Sequence, residues 1–150
     1  MPRPSQEAGG SIVAQSAALY ELVLSYVESP LAKQGITLGT FELLSAVRGA
    51  GKASQAEIAR RLGIAPASLC EAVRIGVAKG LVLQEDAPSD RRAKRLALTD
   101  KGRKALAGAL KVLEEAEAAM LDGIGDAKVK TTIDVLQAAT DNLTKELHSA

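Results

Sequence analysis

The segment from Asp86 to Gly102 constrains this chain more than any other. Pro88 and Ser89 mark a turn, its tip carries the paired Arg91 and Arg92, and Leu96 and Leu98 alternate with Arg95 and Ala97 as in a half-buried strand. Thr99 then stands where a helix N-cap belongs, ahead of Asp100, Lys101 and Gly102. A hairpin with an arginine tip that runs directly into a helix is suited to contact with a polyanion.

Upstream, residues 54–79 read as two short helices joined by a tight turn. Ser54 and Glu57 have the spacing of a capping box, in which the hydroxyl bonds the amide of Glu57 and the carboxylate returns to the amide of Ser54. Ile58, Ala59 and Leu62 give that helix an apolar face, and Gly63 supplies the left-handed residue that ends it. Ala65 and Pro66 open the second helix, where the missing N–H of Pro66 would have had no intrahelical partner, and Gly80 stops it. This is a helix-turn-helix layout.

At 100° per residue, Leu69, Ala72, Val73 and Gly76 fall on one side of the second helix and face the core. Ala67, Glu71, Arg74 and Ala78 fall opposite, with Ser68 and Cys70 on the flanks. Such a helix enters the major groove with its N-terminal residues on base edges. Ser68, Cys70 and Glu71 are then the best placed readers: Glu71 can accept from a cytosine amino group and Ser68 can bond a base or a phosphate. Arg74, one turn on, is expected to touch phosphate.

Charge supports this placement. From Arg48 to Lys104 there are 13 Lys and Arg against 6 Asp and Glu, a local net of +7, whereas the remainder has 6 basic and 12 acidic residues, a net of −6. The overall +1 conceals a basic central block, which supplies the salt-sensitive part of nucleic-acid affinity. Aromatic residues make up only 2% of the chain, so stacking platforms for single strands or RNA loops are lacking and duplex DNA is the better partner.

The chain resembles the MarR-type winged-helix transcriptional regulators. The residues that carry the likeness are Thr37-Leu38-Gly39-Thr40-Phe41, Ser54 to Ala59, Lys79-Gly80-Leu81-Val82, the stretch Asp86 to Arg92, and Leu98-Thr99-Asp100-Lys101-Gly102. In layout the resemblance covers roughly residues 11–148, and it is sequence-specific over 37–102. It implies a homodimer on a pseudo-palindromic operator, often a repressor released by a small ligand or an oxidant. It also implies that Arg92 enters the minor groove with Asp90 orienting its guanidinium, and that Arg91, Lys94 and Arg95 contact phosphate. A narrow A·T minor groove concentrates negative potential, and a planar cation fits it. The expected DNA-binding set is therefore Ser54, Gln55, Pro66, Ala67, Ser68, Cys70, Glu71 and Arg74 on the helices, and Asp90, Arg91, Arg92, Lys94 and Arg95 on the wing.

Two residues depart from the family pattern. Gly76 replaces an expected Leu on the buried side of the reading helix, at a cost of about 1 kcal/mol of helix propensity relative to Ala. Close approach of another element is the reason it suggests. Glu71 puts an acidic residue where basic or neutral ones are common, so an operator sequence cannot be borrowed from relatives.

At 150 residues and 47% apolar composition, one core per chain and a dimer interface are affordable. The expected fold is mainly α with a small β-hairpin wing, a winged helix-turn-helix flanked by N- and C-terminal dimerisation helices. Residues 1–10 read as a mobile tail, 11–36 as the N-terminal dimerisation helix and connection, 37–99 as the DNA-binding domain and 100–150 as the C-terminal dimerisation helices. Ile12 to Val27 is apolar over most of its circumference, which predicts a helix buried on several sides. Leu106, Leu110, Leu113 and Met120 form one C-terminal stripe; Val129, Ile133, Leu136, Leu143 and Leu147 form another, with a break at Gly123 to Asp126.

With one Cys and one His, the chain has no inventory for a Cys/His nucleophile, a metal-ligand spacing or a P-loop, so it is read as a non-enzyme without cofactor or metal. His148 reads as a tail residue, and Cys70 as a small half-buried residue beside the groove. No apolar run approaches the ~20 residues of a membrane span, and neither a signal peptide nor a disulfide framework is visible, so the cytoplasm is the expected location. The partners expected are double-stranded operator DNA, a second copy and a small-molecule effector whose site no residue nominates. Two alternatives stay open: a winged helix that binds protein, for which four clustered wing cations are unneeded, and a redox-responsive regulator using Cys70.

Overall fold

A computed structural model describes residues 10–51, 53–87 and 90–149, with backbone alone at 87 and 90–93. The tail expected over residues 1–10 thus lies almost wholly outside the described residues, as does the turn expected at Pro88 and Ser89. Contacts divide the chain into one unit up to Ala116 and a second from Glu117.

The order is α1 (Ile12–Lys33), α2 (Leu38–Ala50), α3 (Gln55–Leu62), α4 (Pro66–Ala78), β1 (Val82–Ala87), β2 (Asp90–Leu98), α5 (Asp100–Met120) and α6 (Asp126–Ser149). Hydroxyl side chains start four of these helices, Ser54 among them at the head of α3. Ser11 accepts from the amide of Val13 at the head of α1, Thr37 from that of Thr40 at the head of α2, and Thr99 from that of Gly102 at the head of α5. The helix starts are therefore local decisions made by the sequence.

Two apolar clusters hold the first unit together. Leu43, Leu44 and Val47 of α2, Ile58 of α3, Leu69 and Val73 of α4, Leu81, Val82 and Leu96 of the hairpin and Leu106 of α5 form the larger. Val27, Leu31 and Ile36 meet Ala109, Val112 and Ala116 of α5 in the smaller, and Phe41 packs against both. At about 1.5–3 kcal/mol per fully buried Leu, Ile or Val, the larger cluster is what fixes α3, α4 and the hairpin in one body.

Two glycines mark close approaches. A Cβ on Gly76 would lie 3.1 Å from Leu43 Cδ2 and 3.2 Å from Val82 Cγ2, so a Leu has no room there and the close approach inferred from the sequence is real. At Gly102 the restriction is harder: a Cβ would lie 2.0 Å from the carbonyl oxygen of Leu81. That carbonyl accepts from the amide of Thr99 at 3.1 Å, while the Thr99 hydroxyl donates to the carbonyl of Gly80 at 2.6 Å. The end of α4 and the start of α5 are thus tied through residues 80–102.

The hairpin is antiparallel, with Val82 opposite Leu98, Gln84 opposite Leu96, Asp86 opposite Lys94 and Ala87 opposite Asp90. The strand is longer than the Leu96–Leu98 alternation indicated. β2 begins at Asp90, so Arg91 and Arg92 belong by backbone to the strand and not to a turn tip; pairing runs past the apolar residues through Arg95 and Lys94, and the register shifts between Asp86 and Ala87 before Ala87 meets Asp90. Ser54 adds an isolated antiparallel bridge to Arg95 on the outer side of β2.

Burial of the flanking helices differs from the sequence expectation. In α1 only Val27 and Leu31 are buried, while Ile12, Val13, Leu19, Tyr20, Leu22 and Tyr26 are exposed. α1 also continues through Pro30 to Lys33, because Leu31 just beyond it is anchored in the smaller cluster. The expected α5 stripe is displaced: Gly102, Leu106, Ala109, Val112 and Ala116 are the buried positions, Leu110 and Leu113 are half-buried and Met120 is exposed. The small Ala109 and Ala116 let α5 approach its neighbours, and this decides which face turns inward. In the second unit, α6 has no buried residue, and its Ile133, Leu136, Leu143 and Leu147 are all exposed. No described helix is long and apolar enough to cross a membrane.

Candidate nucleic-acid interface

The surface of interest is built on α3, α4 and the hairpin. At the head of α3 the capping box closes in both directions: Ser54 Oγ accepts from the Glu57 amide at 3.3 Å, and Glu57 Oε2 accepts from the Ser54 amide at 2.7 Å. The backbone amide of Ser54, then its hydroxyl, with the charges of Arg60 and Arg61 adding to them, hold the Glu57 carboxyl below its ordinary range. Gly63 then adopts φ 65°, ψ 29°, and the amide of Ile64 returns to the carbonyl of Ala59 at 3.1 Å. The turn is set by one left-handed glycine.

α4 starts from Ala65 without a side-chain cap and with Pro66 at its first position. Leu69, Val73 and Gly76 are buried, and Ala72 is half-buried, so the inner face is the one the 100° arithmetic selects. Pro66, Ala67, Ser68, Cys70, Glu71 and Arg74 are all exposed. Cys70 is a free thiol at the surface, more open than its expected half-buried position beside the groove.

Glu71 and Arg74 are not presented separately. Arg74 Nε donates to Glu71 Oε2 at 2.9 Å and Arg74 Nη2 donates to Glu71 Oε1 at 2.6 Å, a bidentate pair across one helical turn. The hydrogen bond from Arg74 lowers the Glu71 carboxyl, and the same bond raises the Arg74 guanidinium. Both groups are therefore ionised at neutral pH. Spacing of i, i+3 is enough to permit such a pair, which is the signal the sequence offered.

Elsewhere the expected contacts are unevenly placed. Gln55 is half-buried, and its Nε2 is enclosed without a hydrogen-bond partner among the described residues, so that nitrogen is not offered to the surface. Lys94 Nζ is paired with Asp86 across the hairpin, and Arg95 is half-buried beside the Ser54 bridge. The side chains of Asp90, Arg91 and Arg92 lie outside the described residues. Two cations not singled out from the sequence, Arg60 and Arg61, are exposed at the last turn of α3. Arg103 instead braces α5, donating to the carbonyl of Leu98 at 2.8 Å and pairing with Asp100.

A second feature is an open groove of about 440 Å³ on the first unit, between α1 and the start of α2. Leu24, Val27 and Ile36 line it, and Glu21, Glu28 and Thr37 supply its polar groups.

Two short helices joined at a left-handed glycine, with an antiparallel hairpin behind them and a polar outer row on the second helix, define a winged helix-turn-helix protein. Residues 34–93 match the sequence model of the MarR family. Among solved structures, a MarR transcriptional regulator from Methanosarcina mazei superposes with a TM-score of 0.79 at 24% identity, over 89% of this chain and 96% of the other. CouR from Rhodococcus jostii, solved bound to p-coumaroyl-CoA, gives a TM-score of 0.73 at 27% identity over 90% and 92% of the two chains. An uncharacterised HTH-type transcriptional regulator of Bacillus subtilis, YdgJ, is 28% identical over 109 residues, which is 73% of this chain and 66% of YdgJ. Over residues 34–93 the chain is similar to the MarR family of transcriptional regulators, and its fold is that of the winged helix-turn-helix structures it superposes on.

Proposed function

We propose that this protein is a homodimeric repressor that binds double-stranded operator DNA in a sequence-specific way and is released by a small ligand. α4 lies in the major groove and the wing carries Arg92, oriented by Asp90, into the minor groove. The observation that carries this reading is the outer row of α4, where Ser68, Cys70, Glu71 and Arg74 stand exposed on a helix whose opposite face is locked into the core. A rigidly held polar helix beside a basic hairpin is what groove readout requires. Ser54, Gln55, Pro66 and Ala67 flank that row, and Arg91, Lys94 and Arg95 supply phosphate contacts; Gln55 would have to act through its carbonyl oxygen, given its enclosed nitrogen.

Dimerisation is supported by the apolar residues that α1 and α6 leave exposed, which include Leu22, Tyr26, Leu143 and Leu147. Release by a ligand is supported by CouR, solved with p-coumaroyl-CoA, and by the groove between α1 and α2, whose apolar lining and few polar groups suit a small molecule. A gel shift against the chain's own upstream intergenic DNA at two salt concentrations, followed by footprinting, tests the reading. Expected are affinity that falls steeply with salt and two symmetric protected half-sites about 10 bp apart. A protein that stays monomeric in dilute solution, or ignores duplex DNA even at low ionic strength, refutes it.

A further inference from the structure

We propose that Arg74 is the guanine reader of α4 and that Glu71 is its positioning residue; the inference rests on the DNA-binding reading above. A side chain standing straight out at position 74 would meet the groove wall, where phosphates lie. Here the guanidinium is folded back onto Glu71, one turn nearer Pro66. Three residues rise about 4.5 Å along the axis, and folding back over that distance moves the charge from the phosphate flank toward the end of the helix that faces base edges.

The stoichiometry of hydrogen bonds supports the same assignment. A guanidinium has five N–H groups. Glu71 takes the Nε proton and one Nη2 proton, which leaves both Nη1 protons and the second Nη2 proton free. The free pair across Nη1 and Nη2 is the end-on fork that matches O6 and N7 of guanine. The clamp therefore consumes one edge of the arginine and presents the other.

Charge explains why an acidic residue is tolerated on this face. Unpaired, the Glu71 carboxylate would be repelled by the phosphate backbone. Paired, the two side chains sum to zero, so they add little to sequence-independent attraction, and the arginine's rotamer freedom is spent before DNA arrives. Both effects raise the ratio of specific to non-specific binding. Direct reading of cytosine by Glu71 is disfavoured, because each carboxylate oxygen already accepts from Arg74.

The test is enrichment of operator sites from a randomised duplex pool by the full-length protein and by its Arg74→Ala and Glu71→Gln variants. The enriched guanine is then replaced by 7-deazaguanine, which lacks the N7 acceptor. Wild type is expected to select a guanine beneath α4 and to lose about tenfold in affinity on 7-deazaguanine. Arg74→Ala is expected to keep the half-site, drop that guanine and ignore the base replacement. Glu71→Gln is expected to weaken the guanine preference while binding unrelated duplexes as tightly or more tightly, a change that a merely structural role would not produce. Guanine selection retained by Arg74→Ala, equal sensitivity of both proteins to 7-deazaguanine, or an unchanged preference in Glu71→Gln overturns the inference while DNA binding stands. Failure of the wild type to bind any duplex at low salt takes down both.

Discussion

Replacing Gly102 by Ala tests the contact that joins the wing to α5. The new Cβ would lie 2.0 Å from the Leu81 carbonyl oxygen, against ordinary contacts of 3.4–4 Å, and the obstruction is backbone, which cannot rotate away. Relief requires α5 and Leu81 to separate by more than an ångström, and that movement stretches the 3.1 Å bond from the Thr99 amide to the same carbonyl. Overpacking costs about 1–3 kcal/mol and a lost hydrogen bond about 1 kcal/mol, while the helix gains about 0.5–1 kcal/mol by losing a glycine. The net expectation is a destabilisation of about 1–3.5 kcal/mol, or a fall in Tm of about 2–14 °C for a chain of this size. Urea unfolding at fixed protein concentration reads it as a lower midpoint with an unchanged slope. Gly49→Ala is the control, since that α2 glycine has nothing within 4 Å and its replacement is expected to stabilise by up to about 1 kcal/mol. Equal midpoints for Gly102→Ala and wild type would refute the argument.

Four further outcomes are expected. Ser54→Ala removes the hydroxyl that accepts from the Glu57 amide, leaves the bond from the residue-54 amide to the Glu57 carboxylate, and lowers stability by about 0.5–2 kcal/mol in the same urea assay. The Glu57 carboxyl is depressed in the folded state, so its contribution is present above its unfolded pKa and is lost as pH falls through the lower folded value; between about pH 5 and pH 3 the urea midpoint of Glu57→Gln should fall less steeply than that of wild type. Arg92→Ala is expected to weaken operator binding by about 1–3 kcal/mol in a gel shift while sedimentation still reports a dimer. Leu143→Asp combined with Leu147→Asp, both on the exposed apolar residues of α6, should give a folded monomer by light scattering and abolish footprinting.

What was readable in the sequence was whatever the backbone decides locally. Ser54 with Glu57, Gly63 and Pro66 each fix a helix end within a few residues, and the inner face of α4 follows from its period alone. Gly76 could be read as a close approach because a glycine on a buried helix face has few other reasons to be there. Features set by neighbours distant in the chain were not readable. Ala109 and Ala116 turn the inner face of α5 away from the Leu stripe, and only packing against Val27, Leu31 and Ile36 selects them. The tie between Glu71 and Arg74 was permitted by spacing, but two charged groups on a solvent face have many rotamers, and the sequence does not choose one. β2 is longer than its apolar alternation because ladder pairing at Asp86 and Lys94 needs no apolar side chain.

Ser54 serves two elements at once. The same residue that begins α3 also bridges to Arg95 of the hairpin, so a push on the hairpin is transmitted to the first turn of α3. The two parts are geared together: duplexes that force the hairpin aside, by a wide or stiff minor groove, should loosen that turn and be felt at the far groove as well. If the hairpin enters a minor groove as proposed, amide exchange at Glu57 and Ile58 should change with DNA shape, including at bases the protein does not touch.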